Sequence, residues 1–221
     1  MTSTEKDIEY KTCNSYSTLN TFTEKTKNVW FVNHGLGYLS RSFIKYFSIL
    51  NADENYIIAP QAPSKYYLGN EFKNVGACWL TKDNTEQDIE NILNYLDAVY
   101  LAEAIPKNVN FITLGYSQGV SVTARWVARR KIECEQMILY AGGIPNELNP
   151  EDFTFFDKKN TKVHCVYGDI DPYINKQRLG FEIQRIEELF GHHAQIQHFK
   201  GGHEFKNTFL SRWISYLDLK K

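Results

Sequence analysis

The stretch NFITLGYSQGVSVTARW, residues 110–126, changes abruptly from strand-like to helix-like spacing. An apolar run typical of a buried β-strand reaches Gly115, and the helical pattern starts directly after Ser117. So sharp a turn forces unusual backbone dihedrals on the serine, and Gly115 and Gly119 leave room where side chains would collide with the strand and the helix. The pattern predicts a Ser117 hydroxyl that stands clear of the sheet, available for reaction. The alternative is an ordinary tight turn in which the serine caps the helix.

Strand-like and helix-like segments alternate along the rest of the chain in the same way. Apolar runs predict strands over 28–35, 56–60, 108–115, 136–143, 162–168 and 194–199, and helical spacing predicts helices over 39–50, 84–104, 118–131, 175–190 and 204–219. Because the predicted strands are apolar on both faces, we expect a mostly parallel sheet covered by helices on both sides, a three-layer α/β/α sandwich. No linker divides the chain, so residues 1–221 are expected to form one domain.

Three segments fall outside that alternation. Within residues 1–27, IEYKT and YSTLN alternate weakly, which favours an antiparallel pair of strands at one edge of the sheet. Residues 61–83 follow neither period and are predicted as an irregular loop rich in aromatic side chains. The connection between the fourth and fifth strands, 144–161, has only about 18 residues and is too short for an added cap domain. The sequence therefore predicts an open site without a large lid.

The composition excludes several classes of function. Hydrophobic residues make up 43% of the 221 residues, enough for a sizeable core, and the formal net charge is only −1. A net charge this close to zero gives no sign of the excess positive charge that binds nucleic acid or an anionic membrane. No apolar run approaches the ~20 residues of a membrane span, and MTSTEKDIEYK lacks the apolar centre of a secretory signal. With four scattered cysteines and no CxxC pair, we expect a cytoplasmic protein.

A reactive serine needs a base and an acid, and two later loops offer them. In sheets of this kind, functional residues lie just past the carboxyl ends of the strands. His203 lies there in FKGGHEF, and VYGDIDPYI offers Asp169 and Asp171 after the fifth strand. We favour Asp171 as the acid, because it precedes a proline and lies further into the loop, and expect Asp169 to support the loop. The order Ser117, Asp171, His203 is the order expected of an α/β-hydrolase sheet.

Backbone donors for a developing oxyanion are expected on either side of the serine. The N–H of Gln118 follows the nucleophile, and NHGLGYLS after the first strand could present the N–H of Leu36. The alternative for the second segment is an ordinary glycine turn. We expect neither a metal nor an organic cofactor. The loop DIDPYI lacks the glycine and oxygen ligands of an EF-hand, and HEFKN lacks the second histidine of a zinc-binding helix.

Taken together, HGLG, APQAP, the tryptophan of ACWL, GYSQG, YGDIDPYI and GGHEF resemble the phospholipase/carboxylesterase family, which includes bacterial carboxylesterases and acyl-protein thioesterases. The resemblance runs from about residue 29 to residue 215. It implies a compact α/β-hydrolase fold without a cap domain. It also implies that Ser117 is the nucleophile, His203 the base and Asp171 the orienting acid, with Leu36 and Gln118 as the oxyanion hole.

Three positions depart from the family pattern and bear on the substrate. The serine turn continues with Val120 where a glycine is frequent, and the first loop has Tyr38 where an acid is frequent. The chain also has Asn175 directly after DPYI, where a proline often follows the corresponding DPxV segment of the family. We expect substrate contacts from Tyr38 and, in the aromatic loop, from Tyr66 and Trp79; packing of the loop onto the sheet is the alternative.

The expected activity is hydrolysis of a small-molecule ester or thioester through an acyl-serine intermediate. Lysophospholipase or acyl-protein thioesterase specificity is an alternative within this chemistry. A non-catalytic binding module on the same scaffold is a second alternative, which the intact set of Ser117, Asp171 and His203 disfavours. A dienelactone-type hydrolase is disfavoured by the serine nucleophile, and most peptidases of this fold by the absent cap or propeller domain. The oligomeric state is open, with a homodimer among the options.

Overall fold

The structure is a computed structural model and describes residues 3–218. Its strands are β1 (Tyr16–Leu19), β2 (Asn28–Asn33), β3 (Asn55–Pro60), β4 (Ser64–Leu68), β5 (Asn74–Cys78), β6 (Asn110–Tyr116), β7 (Gln136–Tyr140), β8 (Lys162–Gly168) and β9 (Ala194–Phe199). Its α-helices are α1 (Ser40–Phe43), α2 (Thr85–Ala102), α3 (Gln118–Arg130), α4 (Phe156–Lys159), α5 (Lys176–Phe190) and α6 (Leu210–Asp218). Short 3₁₀ turns cover Ile44–Ile49, Pro150–Phe153, Gly191–His193 and Asn207–Phe209.

Among the described residues, seven strands form one sheet in the order β1-β3-β2-β6-β7-β8-β9. All neighbours in this sheet are parallel except β1, which pairs antiparallel with β3. Strands β4 and β5 form a separate antiparallel hairpin. Parallel strands share the direction of their carboxyl ends, so the segments that follow β2, β6, β7, β8 and β9 all lie at one edge of the sheet.

Strand β2 shows how apolar layers enclose the sheet on both faces. Its Val29 and Phe31 side chains belong to the core formed with α2, α3 and α5. The intervening Trp30 and Val32 belong to the core on the opposite face, with α1 and α6. Successive side chains of a strand point to opposite faces, so a strand that is apolar throughout requires a layer on each side. The predicted mostly parallel α/β/α sandwich is confirmed.

Several boundaries differ from those expected. The segment 39–50 is one turn of α-helix followed by a 3₁₀ helix, and the last helix begins at Leu210 rather than at residue 204. Its expected end, residue 219, lies outside the described residues, as do residues 1 and 2. At the N-terminal edge YSTL is a strand, whereas IEYKT has no regular structure, so one strand replaces the expected pair.

The aromatic segment 61–83 was expected to be irregular, but it contains the hairpin of β4 and β5. Every residue of β4 is exposed, so the strand carries no alternation of apolar and polar residues that would reveal it. The chain reverses after β4 at Gly69, whose φ of +70° favours glycine. The connection 144–161 holds only a 3₁₀ turn and the four-residue α4. Within residues 3–218, no helix has both the length and the apolar content needed to cross a bilayer.

Candidate active site

Ser117 lies at the turn between β6 and α3 in a strained backbone conformation. Its φ of +54° and ψ of −118° fall where a residue with a Cβ is rarely found, and its N–H donates to the carbonyl of Tyr140 at 2.8 Å. A Cβ on Gly115 would collide with the backbone of Gly119, and a Cβ on Gly119 with the carbonyl of Asn33. The two glycines therefore permit the close approach of α3 to β2 and β6 that fixes the serine at the sheet edge.

The Ser117 hydroxyl begins a continuous chain of hydrogen bonds. His203 Nε2 lies 2.8 Å from Ser117 Oγ, and His203 Nδ1 lies 2.7 Å from Asp171 Oδ2. The Asp171 side chain is fully buried, and its second oxygen accepts the N–H of Tyr173 at 2.8 Å. The ring of Tyr116 stacks on the imidazole with centroids 5.6 Å apart. These contacts hold the imidazole between a hydroxyl and a carboxylate, in the arrangement of a serine–histidine–aspartate triad.

Asp169, the other candidate acid, has a different environment. It is exposed, and its Oδ1 accepts the N–H of Gly201 at 2.8 Å. Next to it, the N–H of Ile170 donates to the carbonyl of Gly201 at 3.1 Å. Asp169 therefore ties the loop after β8 to the loop that carries His203, and it makes no contact with the imidazole in the described hydrogen bonds.

Two backbone N–H groups face the cavity beside Ser117. Gln118 is the first residue of α3, and its N–H, like that of Leu36, has no acceptor among residues 3–218. Both residues line the same cavity as the Ser117 hydroxyl. The N-terminus of α3 adds the positive end of the helix dipole at this point. A pair of free donors beside the hydroxyl is the arrangement that can bind an oxyanion.

The loop that carries Leu36 is held by the buried His34. The Nδ1 of His34 lies 2.8 Å from the carbonyl of Gly35, and its Nε2 lies 3.1 Å from the N–H of Ala62. Only a neutral ring with its proton on Nδ1 can donate to that carbonyl and accept from that N–H. Burial lowers the pKa of His34 to about 4, in agreement with a neutral ring. Trp79 completes the support by donating from Nε1 to the carbonyl of His34 at 2.8 Å.

A cavity of about 520 Å³ opens above the serine. It is lined by Leu36, Ser117, Gln118, Ser121, Ala141, Gly142, Gly143, Tyr173, Ile174, Arg178 and His203. Sequence reasoning located the polar reacting groups but missed Tyr173 and Arg178. The only signal for Arg178 was its spacing of four residues from Glu182 on a predicted helix, a pattern that is common on solvated helix faces.

The three expected substrate contacts do not line this cavity. Trp79 is 1% exposed and packs in the core against His34, with ring centroids 5.1 Å apart, so the expectation of a substrate contact is corrected. Tyr38 lines a neighbouring cavity of about 450 Å³ and packs edge-on against Tyr116. Tyr66 lies on the exposed hairpin and lines neither cavity. The alternative, packing of the aromatic loop onto the sheet, describes Trp79.

Within residues 3–218, one group of side chains has spacing suited to a metal ion. It consists of Asp157, His192 and His193, whose ligand atoms lie within 4.8 Å of one another. None of the three lines the cavity above Ser117. The expectation of a metal-independent site at Ser117 stays a prediction.

The sequence model of the serine hydrolase (FSH1) family matches residues 23–208. The chain belongs to this family. The matched segment contains Ser117, Asp171 and His203, together with both oxyanion-hole candidates. The protein is therefore a serine hydrolase, as the motifs indicated. The comparison with curated proteins gives no match.

Solved structures of related hydrolases share the fold of this family member. Acyl-protein thioesterase 2 from Zea mays is 13% identical, with a TM-score of 0.69 over 93% of this chain and 98% of that chain. A phospholipase/carboxylesterase from Dyadobacter fermentans is 20% identical, with a TM-score of 0.64 over 92% and 96%. The Bacillus cereus carboxylesterase is 12% identical, with a TM-score of 0.66 over 93% of both chains. At these identities the likeness establishes the α/β-hydrolase fold.

Proposed function

We propose that the protein hydrolyses carboxylic esters or thioesters through an acyl-serine intermediate at Ser117. The observation that carries the proposal is the hydrogen-bonded chain from Ser117 Oγ through His203 to Asp171, with distances of 2.8 and 2.7 Å. Membership of a serine hydrolase family supports the same chemistry. A non-catalytic binding module has no need for an imidazole aligned between a hydroxyl and a buried carboxylate.

In the first half of the reaction, His203 Nε2 takes the proton of Ser117 Oγ as that oxygen attacks the carbonyl carbon. The carbonyl oxygen becomes an oxyanion and accepts hydrogen bonds from the N–H groups of Leu36 and Gln118. Collapse of the tetrahedral intermediate breaks the bond to the alcohol or thiol, which receives the proton from His203. In the second half, His203 activates a water that releases the acid and restores the serine.

Asp171 orients the base in this scheme. Its carboxylate accepts the Nδ1 proton of His203, which leaves Nε2 free to accept the proton of the serine. The N–H of Tyr173 compensates the second carboxylate oxygen, so the buried charge keeps a fixed orientation. The imidazolium that forms during attack is stabilised by the same carboxylate.

A more specific question is whether the protein prefers esters or thioesters. The open cavity and the short connection 144–161 favour small substrates reached without a moving lid. Acyl-protein thioesterase activity, as in the Zea mays neighbour, and lysophospholipase activity are the alternatives that a panel of thioesters and lysophospholipids distinguishes. A cytoplasmic location and a homodimer stay predictions.

The proposal is tested by exchanging each candidate acid for its amide. Asp171→Asn should lower kcat for p-nitrophenyl esters by roughly a thousandfold or more, because the amide favours the wrong tautomer of His203. Asp169→Asn is the matched control, since it changes the same chemical group in the same loop, and it should cost less than about tenfold. Equal losses in the two variants would contradict the assignment of Asp171. A large loss of kcat in Asp169→Asn, with little loss in Asp171→Asn, would assign the orienting acid to Asp169 instead.

A further inference from the structure

Arg178 places a guanidinium in the wall of the cavity that contains Ser117. It lies in the first turn of α5, where its backbone N–H donates to the side chain of the N-cap residue Asn175 at 3.0 Å. The side chain is 43% exposed and lines the same cavity as Ser117 and His203. The proposed hydrolysis does not use this cation.

The guanidinium is fixed on three sides. Its Nη2 forms an ion pair of 2.5 Å with Glu182 Oε1, and its central carbon lies 5.3 Å from the centre of the Phe181 ring. It also lies against Gly143, where an added Cβ would come within 2.7 Å of Nη2. The position of the guanidinium in the cavity is therefore preorganised.

Glu182 is the unusual member of this arrangement, because its side chain is fully buried. Its other oxygen accepts the N–H of Ile144 at 3.0 Å, in the segment that follows β7. A buried carboxylate is costly unless it is paired and hydrogen-bonded; Glu182 is paired with Arg178 through Oε1 and hydrogen-bonded within residues 3–218 through Oε2 alone. The carboxylate thus holds the arginine from one side, while the Arg178 side chain as a whole stays 43% exposed.

The donors on the open side have no acceptor. Among residues 3–218, Glu182 is the one acidic partner of Arg178, and neither Nε nor Nη1 of Arg178 has a hydrogen-bond acceptor. Nε and Nη1 point apart, but each has an N–H parallel to one N–H of Nη2, and such a parallel pair matches the two oxygens of a carboxylate. The N-terminus of α5 adds its positive end at the same place.

We propose that Arg178 binds a carboxylate of the substrate, so that the preferred esters or thioesters carry a free carboxylic acid. The inference rests on the proposed hydrolysis at Ser117. A singly charged carboxylate suits the site better than a doubly charged phosphate, because Glu182 already offsets the charge of the arginine.

The test compares matched pairs of esters that differ only in the charged end. Monoethyl succinate, glutarate and adipate are paired with ethyl butanoate, pentanoate and hexanoate, and ethanol release gives kcat/KM for each. A second arm places the acid on the leaving group, with 4-butanoyloxybenzoate against 4-methylphenyl butanoate. The first arm reports a carboxylate on the acyl side, and the second a carboxylate on the leaving-group side. The readout is the ratio of kcat/KM for the acid to that for its neutral partner.

In at least one pair the wild-type ratio should exceed one, and Arg178→Gln should lower it about 10- to 100-fold, the range for a charge-assisted bidentate contact. Arg178→Lys should restore only part of the ratio, because lysine keeps the charge without the fork. Lys176→Gln is the matched control: it removes one positive charge from the same helix turn outside the cavity and should leave the ratio in place. The double variant Arg178→Gln/Glu182→Gln guards against misfolding, since it does not leave the buried carboxylate of Glu182 charged and without its cation.

A neutral ester that is hydrolysed as well as its acid partner in every pair overturns the role of Arg178 and leaves the hydrolase proposal standing. The same holds if the ratio survives in Arg178→Gln, or falls equally in Lys176→Gln. Failure to hydrolyse any of the esters, acid or neutral, overturns both the proposed hydrolysis and the inference that depends on it.

Discussion

Replacing His34 by glutamine should remove a defined part of the pH dependence of stability. The His34 ring is fully buried and held neutral by its two hydrogen bonds, and burial lowers its pKa from 6.5 to about 4. The unfolded chain therefore binds a proton at this residue at a higher pH than the folded chain does. The free energy of unfolding must fall as pH decreases through the window between 6.5 and about 4.

The size of the effect follows from the two pKa values. The full shift corresponds to about 3 kcal/mol, and between pH 7 and pH 5 the His34 contribution to the free energy of unfolding should fall by about 2 kcal/mol. His164 is also buried with a pKa lowered to about 4, so the wild-type protein loses the sum of both contributions. In His34→Gln only the share of His164 should remain.

Urea unfolding at pH 7 and at pH 5 measures this difference directly. The comparison is between the changes with pH, so a lower absolute stability of the variant does not affect it. His198→Gln on β9 is the control for the exchange of a histidine for a glutamine at an exposed position. The reasoning is refuted if His34→Gln loses as much stability between the two pH values as the wild-type protein does.

Three further results are expected from the same structure. Gly119→Ala should lower the free energy of unfolding by about 1 to 3 kcal/mol and reduce ester turnover, because the added Cβ would collide with the carbonyl of Asn33. Gly180→Ala in α5 is the control: the added Cβ meets open space, so this variant should not lower Tm. Trp79→Phe should cost about 1 to 3 kcal/mol in urea unfolding, since it leaves the buried carbonyl of His34 without its donor; an unchanged midpoint would contradict this. Dialysis against EDTA should leave ester turnover unchanged, and a loss restored by a divalent metal would show that the site is not metal-independent.

The alternation of strand-like and helix-like segments was sufficient to predict the parallel sheet and the edge of the sheet at which the candidate site lies. The strand runs are apolar on both faces, and each is followed by a turn, so the residues after them had to meet at one edge. Ser117 and His203 could be selected because each follows a strand and because the glycines beside them are otherwise unexplained. The hairpin of β4 and β5 could not be predicted, since β4 is exposed throughout and neither strand has an alternating apolar pattern.

The remaining cavity wall depends on contacts that no local pattern encodes. Trp79 lies in an aromatic loop, and only the tertiary structure buries it under the carbonyl of His34. Arg178 and Glu182 are spaced like an ordinary surface pair, and burial of the glutamate against the backbone of Ile144 is a long-range event. The candidate reacting residues, which follow strands, could therefore be predicted from the sequence. Arg178 and Glu182, which are expected to select the substrate, could not.

Labelling with a fluorophosphonate probe, followed by peptide mass spectrometry, tests the role of Ser117 most directly. The folded protein should carry the adduct on Ser117, because His203 Nε2 at 2.8 Å activates that hydroxyl. Labelling should be lost after heat denaturation and strongly reduced in His203→Ala. An adduct on a different serine, or no adduct on the folded wild-type protein, would contradict the account.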